Sequence, residues 1–99
     1  MIGIIWYKSI DKGMKKLEDI IHGYKTMGID CEFKTKSKED IYCIFSNGDI
    51  WRAELPNKKR FGLKCNISYI ERDIDKYTLD SIILPATIMP PFTGISYYG

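Results

Sequence analysis

The chain carries almost no excess charge, a single histidine, and no apolar run long enough to cross a bilayer. Each shortage excludes something. With 15 Lys and Arg against 13 Asp and Glu the net charge is +2, so composition alone does not demand nucleic acid, and only a local basic patch stays open. The longest apolar stretches run from Ile2 to Tyr7 and from Ile82 to Phe92. Both are too short or too broken by proline for a membrane span of about 20 residues, and no secretion signal is visible. The three cysteines, Cys31, Cys43 and Cys65, make an odd count without C-x-x-C spacing and fall in apolar strand patterns. They read as reduced, buried thiols of a cytoplasmic protein. His22 has no second histidine to share a metal with and reads as a surface or boundary residue. No metal or other cofactor is expected. No G-x-x-x-x-G-K-[S/T] occurs either: Lys8-Ser9 follows Tyr7 directly, without the glycines that let backbone amides cradle phosphate.

What is present describes a folded domain. Ninety-nine residues, 44% hydrophobic and 28% charged, suit one core, so residues 1–99 are read as a single domain. Ile2 to Tyr7 is apolar throughout and rich in β-branched and aromatic residues, the composition of a central strand covered on both faces. Met14, Leu17, Ile21 and Tyr24 then recur at helical spacing. Ser9 or Asp11 stands as N-cap and Gly28 as stop, which predicts a helix over Asp11 to Met27. Its other face, Lys12, Lys15, Lys16, Glu18, Asp19 and Lys25, reads as a solvated surface. Ile29, Cys31 and Phe33 alternate with Asp30, Glu32 and Lys34, as in a strand near a sheet edge.

Ile41 to Phe45 is a further strand, and Asn47-Gly48 predicts a two-residue type I′ hairpin turn. That turn would set Phe45 opposite Ile50, Ile44 opposite Trp51, and Cys43 opposite Arg52, with Trp51 and Arg52 on opposite faces. Pro56 to Lys64 is a basic loop, Ile67 to Ile70 a strand. Asp73 or Asp75 caps a short second helix that Pro85 ends or closely follows. The uncharged, proline-containing tail 85–99 is expected to pack on its own domain or on a partner. The fold expected is a compact α/β domain, with an α+β arrangement as the alternative. It is mostly β sheet, with one long helix on a face and a short second helix.

The helix after a first strand, the Asn47-Gly48 hairpin, the Arg60-Phe61-Gly62 loop and a strand ending in Glu71-Arg72-Asp73 together resemble the central ATPase segment of the large terminase subunit of tailed phages. The resemblance spans roughly Ile2 to Asp75. It implies that Glu71 and Arg72 stand where that family carries an Asp-Glu pair that holds magnesium and orients water. A guanidinium can do neither, and with the phosphate loop missing, ATP hydrolysis is not expected.

Other chemistry is thinner. Glu32-Phe33-Lys34 matches the E-x-K half of a metal-dependent nuclease site, but no aspartate stands clearly on a preceding strand end, and a solvated edge strand accounts for it. Only Cys65, beside Lys64, approaches the electropositive setting of a reactive thiol. The remaining candidate is a binding surface in which Trp51 and Tyr69 stack on a base while Arg52, Lys58, Lys59, Arg60 and Lys64 meet phosphates. The reading with most support is a non-catalytic, phage- or mobile-element-type protein that binds a nucleotide or nucleic acid. A protein-interaction module or inhibitor of a host enzyme, acting through the C-terminal tail, is the alternative. A metal-dependent nuclease ranks third. Homo-oligomerisation is compatible with all three.

Overall fold

The computed structural model describes residues 1–37, 41–57, 63–88 and 94–99. The elements follow as β1 (Ile2–Trp6), α1 (Ile10–Thr26), β2 (Cys31–Lys36), β3 (Ile41–Phe45), β4 (Ile50–Glu54) and β5 (Ile67–Glu71). After them come α2 (Lys76–Thr78), a π-helical segment (Leu79–Ile83), α3 (Leu84–Ala86) and β6 (Gly94–Tyr98). A six-stranded mixed sheet holds them in the order β2-β3-β4-β1-β5-β6. β1 is parallel to β4 and β5, and β6 is parallel to β5, while β3 runs antiparallel to both of its neighbours. The domain is mixed α/β and mostly sheet. β1 is central, as its unbroken apolar sequence requires: Ile4, Ile5 and Trp6 are all buried.

Alternation along the strands sends two sets of side chains to two cores. Ile5, Leu17, Tyr24, Ile41, Cys43, Phe45, Trp51, Ala53 and Tyr98 pack beneath α1. Ile4, Trp6, Cys65, Ile70, Ile83 and Ala86 pack on the opposite face beneath the second helical segment. Gly3 belongs to the first face because the Trp51 indole lies over it: a Cβ there would stand 2.4 Å from the ring. On the second face the buried polar atoms pair with one another. The Trp6 indole N–H donates to Ser68 Oγ at 2.9 Å, Ser68 Oγ lies 2.7 Å from Thr87 Oγ1, and Thr87 Oγ1 donates to the Ile83 carbonyl at 2.7 Å. Such a satisfied chain fixes where the helical segment sits against the sheet, because any partner lost would leave a buried polar group unpaired.

The helix bounds lie within a residue of those predicted from the sequence. α1 begins after Ser9, though no side-chain cap bond forms there, and Ile29 N–H reaches Tyr24 O while Gly28 N–H reaches Lys25 O, both at 3.0 Å. These two bonds are the Schellman arrangement that satisfies the last carbonyls of a helix. Asp75 caps α2 through Thr78 N–H. The helical run continues one residue past Pro85, to Ala86. The wider π-helical turn before it suits a residue with no N–H to give and a ring that crowds the carbonyl one turn back.

Two expectations are corrected and a third is sharpened. The hairpin is not type I′: Asn47 has negative φ, and among the described residues only glycines lie at positive φ, Gly48 at +90°. The loop holds three residues, closed by Gly48 N–H on Phe45 O at 2.9 Å, and Asn47 Oδ1 accepts from Asp49 N–H at 3.0 Å. That side-chain bond stabilises the longer turn. Pairing is accordingly one residue away from the predicted register, with Ile44 opposite Ile50, Cys43 opposite Trp51 and Tyr42 opposite Arg52. In β2 the register shifts between Cys31 and Phe33, so the strict alternation read there fails. Cys31 packs toward α1, whereas Phe33 lies on the other face, half exposed, with its ring 5.6 Å from that of Tyr42. Finally, the tail is more than packed chain: its last stretch is β6, in register with β5 from Ile67 opposite Gly94 to Glu71 opposite Tyr98.

The turn geometry makes a direct prediction. Gly48→Val should destabilise the domain by at least about 1 kcal/mol, because a β-branched residue is strained at positive φ although space for its Cβ is open. Urea melts of the two proteins measure the difference, and superimposable curves would reject the turn as described.

Candidate binding groove

α1 runs back along the sheet chiefly over β4, β1 and β2, and on the same side Ile67 and Tyr69 of β5 are only partly buried. The step between helix and sheet is a groove. Two adjoining cavities occupy it, one of about 370 Å³ against Trp51, Ile67 and Tyr69, the other of about 300 Å³ against Tyr98 and Gly99. Lys16 and Asp19 line both. Lys12, Lys15, Lys16 and Asp19 recur at three- and four-residue steps, so one flank of α1 presents them together to the groove.

The groove wall and floor touch at one point. Lys16 Nζ lies 4.4 Å above the Tyr69 ring, and Tyr69 stacks on Trp51 with centroids 5.5 Å apart and planes 27° from parallel. A cation over an aromatic face is attracted by the ring quadrupole. Trp51 itself is 3% exposed and forms the floor's foundation rather than a free stacking face. Its indole N–H donates to Tyr24 Oη at 2.9 Å, and Tyr24 Oη donates to Asp49 Oδ2 at 2.6 Å. Asp49 also accepts from the Met1 amino group at 2.9 Å and from Asn47 Nδ2 at 3.2 Å. Burial alone would raise the Asp49 pKa, but the bonds from Tyr24, the amino group and Asn47 outweigh it and hold the carboxyl below its ordinary value. Burial first, and the same Asp49 bond second, push Tyr24 up to about 12.

Above the groove lies the crevice where ligands commonly bind in doubly wound sheets, at the carboxyl ends of strands whose following connections leave on opposite faces. Here those strands are β1, followed by α1, and β5, followed by α2. The position is filled by the protein itself. Glu71, 2% exposed, accepts from Ser9 N–H at 3.0 Å and Lys8 N–H at 3.2 Å. A carboxyl group thus takes the amides of the N-cap Ser9 and of Lys8 before it and places its charge near the positive end of the helix dipole. Beside it, Tyr98 Oη donates to the Trp6 carbonyl at 2.9 Å, and burial followed by the nearby Glu71 raises the Tyr98 pKa. A smaller cavity of about 180 Å³ opens next to this crevice, against Tyr7, Lys8, Pro56, Asp73 and Ile74.

The residues named from the sequence therefore part company. Tyr69 and Trp51 belong to the groove. Arg52 faces the other side of the sheet, with its guanidinium 3.6 Å from Glu54 and 5.4 Å from the centre of the Tyr42 ring. Lys64 donates to the Pro85 carbonyl at 3.3 Å, beside α3. Lys58, Lys59 and Arg60 lie outside the described residues, as does most of the basic loop. Of the lysines on the helix face read as solvated, Lys12 and Lys15 are exposed and line the groove, and Lys16 meets the Tyr69 ring. Their spacing was visible in the sequence; which strands lay beside them was not.

The remaining candidates resolve into structural roles. Lys34 pairs with Glu18 of α1 at 3.3 Å, and Glu32 stands at the strand irregularity, exposed. His22 is exposed. Cys65 is buried 3.3 Å from Ser68 Oγ, and burial, then the neighbouring Cys31, push the Cys43 thiol up to about 12. Among the described residues no group of three or more His, Cys, Asp or Glu could hold a metal ion, and no helix is long and apolar enough to cross a membrane. Searches against family models, curated proteins and solved structures find no match to the chain.

Asp49 ties the groove floor to α1, and its titration can be followed. Because its folded-state pKa is lowered, its contribution is present above the ordinary value of 3.8 and is lost as pH falls through the folded-state pKa. Asp49→Asn should therefore destabilise the domain by about 1 kcal/mol at pH 7, and the gap to the parent should narrow as pH falls below 3.8. Chemical denaturation at a series of pH values measures this; a gap independent of pH would show that the carboxylate is not engaged.

Proposed function

We propose that this domain is a non-catalytic binding protein for a nucleotide-like or nucleic-acid ligand, held in the groove beside α1. The observation that carries this reading is Lys16 poised over Tyr69, with Lys12 and Lys15 on the same helix flank. Aromatic faces accept bases of any sequence, and ammonium groups along one wall meet successive phosphates. Lys15 is an exposed cation and Lys12 is only loosely held by Asp73 at 3.9 Å, so both can turn to a ligand at little cost. The crevice at the helix N-terminus is a poorer phosphate site, since its amides already serve Glu71. That same bond argues against catalysis by Glu71, the residue the terminase resemblance matches to a catalytic carboxylate. The phage- or mobile-element origin rests on that resemblance.

The reading predicts a salt signature. Fluorescence anisotropy with a labelled oligothymidine should show binding at low ionic strength that weakens as salt rises, because phosphate contacts release counterions. Replacing Lys12, Lys15 and Lys16 together by Gln should flatten the slope of log K against log salt by about 2, at about 0.7 per lost contact. Replacing Lys58, Lys59 and Arg60 together is the comparison. Should only the second set flatten the slope, the ligand lies on the basic loop instead of the groove. Absence of binding to both oligonucleotide and free nucleotide at low salt would favour the protein-interaction reading.

A further inference from the structure

The sheet ends in two edges of opposite character. β2 bears Glu32 and Lys34 and carries a register irregularity, the devices that keep an edge from pairing. β6, Gly94-Ile95-Ser96-Tyr97-Tyr98, has no charge and no proline and keeps unbroken register with β5. Among the described residues its outer edge has no strand partner. Strands of this kind are templates for another strand.

We propose that β6 pairs antiparallel with β6 of a second copy of this chain, with the twofold axis at Ser96. That register is self-complementary. Ile95 falls opposite Tyr97 of the second copy, an aromatic and β-branched pair of the kind that stabilises sheets, and Gly94 falls opposite Tyr98, leaving room for the larger ring. Tyr97 is 50% exposed in the single chain, on the face where Ile95 is only partly covered, so the pair would remove apolar surface from water. No charge is brought against another. The result is a continuous twelve-stranded sheet made from two sheets of six.

A twofold axis normal to the sheet places both α1 helices on the same side. The two grooves then open toward each other over a shared floor of β5 and β6 from each copy, about 19 Å across at about 4.8 Å per strand. This geometry concerns the assembly and holds whatever the groove binds.

Light scattering coupled to gel filtration tests the pairing directly. The parent chain should show a concentration-dependent dimer, and Tyr97→Lys should shift it to monomer while leaving the far-ultraviolet circular dichroism unchanged. A second variant guards against misfolding: in a Cys31→Ser background, which removes the one partly exposed thiol and leaves Cys43 and Cys65 buried, Ser96→Cys should give a disulfide-linked dimer under mild oxidation, since the twofold axis sets the two thiols opposite each other, while Cys31→Ser alone should not. A parent that stays monomeric at all concentrations would overturn the proposal. So would a dimer that survives Tyr97→Lys together with failure of Ser96→Cys to cross-link.

Discussion

The Glu71 carboxyl group is the constraint on which the rest of the arrangement turns. A carboxyl group at 2% exposure is tolerated only if its oxygens are bonded, and the bonds it makes are to the two amides that open α1. This joins the carboxyl end of β5 to the start of the helix that follows β1. It holds the β1-to-α1 turn against the sheet and satisfies the amides of the N-cap Ser9 and of Lys8 before it.

At the other end of α1 a second knot does the complementary work. Tyr24, Asp49 and Trp51 bond in series, so the last turns of the helix are tied to the β3–β4 hairpin and to the floor beneath Tyr69. A helix fixed at both ends cannot slide along the sheet. The groove it borders is therefore framed by elements tied to each other at both ends of the helix.

The fold was largely legible in the sequence because period and composition report burial. β1, α1 and the β3–β4 pair followed from apolar runs and helical spacing, and the strand alternation already put Trp51 and Arg52 on opposite faces. Two of the misreadings come from one-residue irregularities in the strands. Asn47 closing on Asp49 added one residue to the hairpin loop and moved the register by one. The irregularity at Glu32 turned Phe33 to the other face. β6 was hidden because an uncharged stretch after prolines looks the same whether it is a strand or packed tail. The site was less legible. Trp51 and Tyr69, named from the sequence, line the candidate groove, but a helix flank reveals its lysines only as exposed charge until the neighbouring strand order is known, and non-local pairing such as β1 with β5 leaves no mark on local sequence.

The most direct measurement is residue-resolved. In ¹⁵N-labelled protein titrated with unlabelled oligothymidine at low salt, the amide shifts should concentrate on Lys12 to Asp19, Ile67 to Tyr69 and Tyr98, leaving Tyr42 and Arg52 on the other face unmoved. Shifts centred instead on Lys8, Ser9 and Glu71, or on the Tyr42 and Arg52 face, would contradict the groove as the binding site.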